Sequence, residues 1–298
     1  MSELLLRRRN LLLRKQEELN IRAVCFEADG EQTVSITKVG SAPTITMQYS
    51  YDGVNWDAWD LTALPFGGST KVYVRGVGNT KFGSSGSEYN QITFSTDAFV
   101  YVSGIVESLL DGENEVLSYT YDYVLVRLFT GQTALRSVED LRFEVQSTTV
   151  MYMYAFMFSG CTSLVNAPKS LPIKSLNRQY VYASMFSGCT SLVNAPELPA
   201  TDLSTGCYHN MFKGCTSLVN APELPATTLT NLCYRSMFYG CTSLKTIRCR
   251  AKVTASSATV YWLYDTSPSG TLYGHSEYGW AKGASGIPSG WEFVELTD

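Results

Sequence analysis

The 298-residue sequence predicts a mixed β and α/β chain: an N-terminal helix, an Ig-like antiparallel β-sandwich, a repeat solenoid and a C-terminal β cap. Three observations carry this expectation. Residues 3–19 place leucines seven apart with no Gly or Pro between them. Residues 21–110 alternate apolar and polar residues between turn signals. From about residue 120 a block recurs: "MFSGCTSLVNAP" stands at Met157–Pro168 and Met185–Pro196, "MFKGCTSLVNAP" at Met211–Pro222 and "MFYGCTSL" at Met237–Leu244.

Residues 1–20 read as a basic amphipathic helix. "LLLRRRN" is followed by "LLLRKQE", so Leu5, Leu12 and Leu19 share a stripe among strong helix formers. As an assembly anchor or oligomer contact, its candidate residues are Leu5, Arg8, Leu12 and Leu19. The alternatives are packing back on the same chain and contact with a membrane surface. Runs of three leucines split by arginines make neither a secretory signal nor a membrane span. Two heptads fall short of a coiled coil.

The first 15 residues hold five basic residues against one acidic, leaving 18 basic against 26 acidic in the rest. Such an acidic body excludes a nucleic-acid role, because that affinity rests on cations meeting phosphates.

Residues 21–112 form the sandwich. "IRAVCFEA", "QTVSITKV", "PTITMQYSYDG", "KVYVRGV" and "NQITFSTDAFVYVSG" are separated by Asp29-Gly30, Asp52-Gly53, Gly67-Gly68 and Gly83–Ser87. Trp56 and Trp59 cover a sheet face, with a carbohydrate contact as the alternative.

Residues 113–256 form the solenoid. A worn first copy, "LFTGQTAL", carries Gln132 where later copies carry Cys161, Cys189, Cys215 and Cys241. Spacings of 26 to 29 residues mark stacked coils. In the coil from Cys207 to Leu232, residues Tyr208, Met211, Phe212 and Cys215 fall at i, i+3, i+4 and i+7, a helical face. Leu218 and Val219 begin a strand that Pro222 and Pro225 hold out of helix. Helix plus strand with inward leucines describes a leucine-rich-repeat coil. Residues 257–298, with "WLYDTSPSGTLYG" and "GIPSGWEFVEL", cap the open end.

"MFxGCTSL" followed by "APELPAT" resembles the BspA-like leucine-rich repeats of bacterial surface proteins. The order of "YSYDG", "VYVRG" and "GIPSGW" is similar to versions encoded by gut Bacteroidales and their phages. The resemblance implies a right-handed solenoid with a parallel β face and an adhesive rather than enzymatic role. Exported members carry a leader that this sequence lacks, which favours a phage virion protein, fibre-like, over the alternative of a bacterial cell-surface adhesin. On this reading the N-terminal helix meets virion or assembly proteins and the solenoid meets a host surface glycan or protein. A homo-oligomer is expected, with a trimer as one form.

Positions that change between coils are the candidate partner-binding residues: His209, Asn210, Lys213, Arg235, Ser236 and Tyr239, equivalent to Ala183, Ser184 and Ser187 one or two coils earlier. On a helix they lie opposite the Met-Phe face, in solvent. The alternative is drift at unconstrained sites. Asn166, Asn194 and Asn220 do not change and read as a hydrogen-bonded ladder.

No catalytic fingerprint is visible, and the two histidines, His209 and His275, occupy unrelated contexts. No enzyme, cofactor or metal is expected. The slot eight residues before the repeat cysteine holds Met153, Val181, Cys207 and Cys233 in turn. A slot that accepts Met and Val is a packing slot, so the cysteines read as buried free thiols. A pairing of Cys249 with Cys233 or Cys241 is the exception considered.

Overall fold

The computed structural model describes residues 21–113, 119–147, 149–254, 257–276, 280–283 and 285–297. The expected helix over 3–19, with Leu5, Arg8, Leu12 and Leu19, lies outside the described residues.

Alternation of apolar and polar residues produces two facing sheets. The strands are β1 (Val24–Ala28), β2 (Gln32–Val39), β3 (Met47–Ser50), β4 (Asp57–Trp59), β5 (Leu64–Phe66), β6 (Val72–Gly76), β7 (Gly83–Ser85), β8 (Glu88–Phe94) and β9 (Val100–Ile105). One sheet runs β9-β1-β6-β3-β4 and the other β5-β2-β8-β7, all antiparallel. Val34 and Ile36 of β2 are buried while Thr33 and Ser35 are half-exposed, so one face turns inward. Phe26 sits within 6.2 Å of Phe66 and 5.8 Å of Phe94, ring centre to ring centre. Trp59 is buried and donates its indole N–H to Thr62 O at 2.8 Å. Trp56 is half-exposed with the Arg75 guanidinium 4.1 Å over its ring.

The repeat array begins as a continuation of the first sheet. After a 3-10 turn at Val106–Leu109, strands β10 (Leu135–Ser137) and β11 (Leu141–Arg142) pair in parallel with β9. The edge of β9 is thereby covered, removing a row of unpaired amides. The core is continuous too: Phe26 lies 6.4 Å from Phe129, the first ring of the array.

Inside the array the α/β expectation is overturned. No α-helix occurs among the described residues, and the segments expected as helices are chains of tight turns. In the coil around Met157, the amides of Ala155, Met157, Ser159 and Cys161 each bond the carbonyl three residues back, at 3.1–3.3 Å. The intervening amides of Tyr154, Phe156, Phe158 and Gly160 instead reach the next coil, at Val181, Ala183, Met185 and Ser187 O, 2.7–3.0 Å away. A left-handed residue every fourth position makes this possible: Tyr152, Phe156 and Gly160 have φ of 54°, 59° and 76°. The same positions are left-handed at 180, 184 and 188, at 206, 210 and 214, and at 232, 236 and 240. Turns of four residues and a helix of 3.6 gather the same side chains on one side, which is why the spacing looked helical. The leucine-rich-repeat helix-and-strand coil is therefore replaced by a stack of turns.

The expected strand after each cysteine shrinks to isolated parallel bridges, Ser137 to Asn166 to Asn194 and Asn220 to Thr246. Asn194 donates its side-chain amide to Asn166 Oδ1 at 2.8 Å. Longer pairings close the far end: β12 (Thr228–Leu229) with β14 (Val253–Thr254), and β13 (Thr246–Arg248) with β15 (Gly270–Gly274) and β16 (Trp291–Glu295), all parallel.

Identical residues stack in register through the core. Phe129, Phe158, Phe186, Phe212 and Phe238 follow at 5.4–5.7 Å, and Tyr154, Tyr182, Tyr208, Tyr234 and Trp262 at 5.6–6.4 Å. Burying each ring contributes about 1.5–3 kcal/mol, and stacking adds about 0.5–1.5 kcal/mol per pair.

All eight cysteines are buried and none forms a disulfide, so Cys249 does not pair with Cys233 or Cys241. The thiols of Cys161, Cys189, Cys215 and Cys241 donate to the carbonyls of Phe129, Phe158, Phe186 and Phe212 in the preceding coil, at 3.0–3.1 Å. Each of those carbonyls already accepts an amide from its own turn. The thiol satisfies its second lone pair. Gln132 faces the sandwich instead, where its Oε1 accepts the Phe94 amide at 3.1 Å.

Candidate binding face

The left-handed corners turn a set of side chains outward along one side of the stack. Nine residues before the cysteine slot, the first three coils carry Tyr123, Tyr152 and Tyr180. Their rings stack at 4.8 and 4.9 Å with planes 6° apart, half-buried over Val126, Ala155 and Ala183. His209 continues the run, tilted against Tyr180 at 6.2 Å. Farther along, Lys213 Nζ stands 5.1 Å from the centre of the Tyr239 ring. Tyr239 stacks on Tyr264 at 5.2 Å, and Tyr264 meets Tyr261 edge-on at 5.8 Å. Tyr261 and Tyr264 are 46% and 48% exposed. At the sandwich end Arg127 lies 4.3 Å over Phe156 and 5.6 Å from Tyr89.

Electrostatically the face is a donor surface. Among the described residues Arg127, Lys213 and Arg235 form no ion pair with a carboxylate. Partial burial lowers the His209 pKa, and the charges of Arg235 and Lys213 lower it further, so its imidazole holds its proton less readily than usual. The Tyr152 phenol is pushed up by partial burial and then by Tyr123, Tyr180 and Asp122, so it stays a protonated donor. Asp122 itself accepts the Met151 amide at 2.7 Å.

Of the residues chosen from sequence, His209, Lys213, Arg235 and Tyr239 fall on this face. Asn210 and Ser236 are left-handed corners, with φ of 56° and 50°. Ser236, Ala183 and Ser184 are buried rather than solvent-facing, because the opposite-face argument assumed a helix. Comparing coils for positions that differ passes over Tyr123, Tyr152 and Tyr180, because the tyrosine repeats. Their common offset from the cysteine slot is the signal that finds them.

Two other features lie near the junction of sheets and array. A cavity of about 610 Å³ is floored by Ala23, Cys25 and Tyr73. Its rim carries the ion pairs Lys169–Asp140 at 2.9 Å and Lys71–Glu27 at 3.1 Å. Deeper, the Tyr154 hydroxyl donates to the fully buried Glu107 carboxyl at 2.5 Å, and the Glu144 amide donates to it at 3.0 Å. Burial raises the Glu107 pKa to about 7 despite those two donors.

Comparisons with protein-family models, with curated proteins and with solved structures find no match to this chain. Among the described residues no helix is long and apolar enough to cross a membrane, and no three His, Cys, Asp or Glu side chains gather as a metal-binding group.

Proposed function

We propose that the protein is a non-enzymatic binding protein whose repeat array meets a glycan on a cell surface. The observation that carries this reading is the set of outward aromatic and cationic side chains along the stack, Tyr123–Tyr152–Tyr180–His209 in its first coils and Lys213–Tyr239–Tyr264 in its last. Such side chains offer hydroxyl, charge and ring-edge contacts repeated along a line, suited to a linear polymer. The resemblance of the repeat block to adhesive proteins of gut bacteria and their phages adds the setting: a virion component anchored by residues 1–20, with Bacteroidales cells as the target.

Binding of the purified full chain to Bacteroidales cells tests the reading. Cells treated with periodate, which opens sugar rings, are expected to lose binding, whereas protease-treated cells keep it. Loss with protease and retention after periodate would assign a protein ligand and refute the glycan. Mass spectrometry of purified phage particles is expected to find peptides of this chain; particles without them would refute the virion setting.

A further inference from the structure

The geometry points to a carboxylate-bearing polysaccharide, rich in uronic acids, as the ligand of the outer face. This inference rests on the glycan reading above and specifies its chemistry.

The stacked tyrosines decide the mode of contact. With planes 6° apart and centres 4.8–4.9 Å apart, Tyr123, Tyr152 and Tyr180 cover one another's faces. Sugar rings therefore have no open tyrosine face to lie on in the middle of the run, and what remains outward is ring edges. Aromatic edges carry the positive end of the ring quadrupole. The Tyr152 phenol among them is pushed up by partial burial and stands as a donor. Next to them stand Arg235 and Lys213, both close enough to lower the His209 pKa, and Arg127 stands at the sandwich end. None of the three cations pairs with a carboxylate among the described residues. Arg127 Nε is a buried donor with no hydrogen-bond partner.

The face thus presents donors along its length and positive charge at Arg127 at one end and at Lys213 and Arg235 farther along, on a chain whose residues past the first 15 hold 18 basic against 26 acidic. Unpaired cations gathered on one side of an acidic body suit an anion rather than a neutral sugar. Arginine favours planar carboxylates, which it engages through two parallel hydrogen bonds. Nucleic acid is the competing polyanion. Net negative charge on the body repels any polyanion, and most strongly one as densely charged as nucleic acid, with one phosphate per about 1.7 Å of duplex.

The test uses surface polysaccharide extracted from cells that bind the protein, immobilised either intact or after chemical reduction of its carboxyl groups to alcohols. Binding of the full chain is expected to fall at least tenfold on the reduced polymer, and to weaken with added salt on the intact one. Lys213→Gln with Arg235→Gln is expected to lose at least tenfold in affinity for the intact polymer without a change in Tm. Tyr152→Phe with Tyr180→Phe, which removes two hydroxyls and leaves the ring stack, reports the phenol contribution as a smaller loss. Equal binding to intact and reduced polymer would overturn the anionic ligand while leaving a glycan-binding protein. Failure to bind either polymer would overturn the glycan reading itself. Tighter binding to a single-stranded oligothymidylate than to the intact polysaccharide would overturn the saccharide in favour of nucleic acid.

Discussion

Alkylation of the native protein tests the thiol ladder that ties the coils together. Burial pushes the Cys161 and Cys241 thiols up to about 12, and holds Cys189 and Cys215 well above their ordinary range. Near pH 8 a thiol of pKa 12 is about one part in 10⁴ thiolate, where an ordinary one near 8.5 is about a quarter ionised. Ionisation alone therefore slows iodoacetamide by roughly a thousandfold. All four thiols are also fully shielded from solvent, so reagent reaches them only when coils separate. Mass spectrometry after brief treatment is expected to show no adducts on these four residues in the native protein, and all eight cysteines modified in guanidinium chloride. Cys25, 6% exposed beside the junction cavity, is expected to react first in the folded chain. Stoichiometric native labelling of Cys161, Cys189, Cys215 or Cys241 within minutes would refute the ladder.

Gly188→Ala is expected to cost about 1–2 kcal/mol in a urea titration, because φ is +77° there. The added Cβ meets Gly160 Cα at an ordinary 3.6 Å, so conformation rather than collision sets that cost. Phe186→Ala removes the ring between Phe158 and Phe212 and is expected to cost about 3–5 kcal/mol, read from the same titration. Glu107 supplies the pH dependence. Its folded pKa of about 7 lies above the ordinary 4.5, so folding favours the protonated carboxyl. The stability this gives is complete below about pH 4.5 and is lost as pH rises through about 7, on the order of 3 kcal/mol. Denaturation midpoints are expected to fall across that window in the native protein and to stay flat in Glu107→Gln, whose amide meets both the Tyr154 hydroxyl and the Glu144 amide.

What the sequence conveyed depended on whether a pattern had one structural meaning. Alternation in "QTVSITKV" had one, and Val34 and Ile36 point inward from a strand as that pattern requires. The spacing Tyr208, Met211, Phe212, Cys215 had two, helix or four-residue turns, and a helix is the commoner source of it. Only backbone conformation separates them, and left-handed Tyr152, Phe156 or Ser184 leaves no compositional mark, because such angles belong to glycine elsewhere. The recurring glycine before each cysteine was the visible trace of that rhythm. The binding face was legible in part for a related reason. Comparing copies isolates positions that differ, which brought out Lys213 and Arg235, but it passes over an outward residue that repeats, such as Tyr152 and Tyr180. The union of sheet and array at β9 depends on parallel pairing between distant segments, which no local pattern encodes.

The division of the amides has a consequence for how such a chain changes. Contacts between coils are made mainly by backbone groups and by buried rings and thiols, and outward rings such as Tyr152 and Tyr180 add to them. A duplicated or deleted coil finds the same row of bonds above and below. Reach is therefore adjustable in whole coils, and outward side chains can change while the row of backbone bonds stays in place.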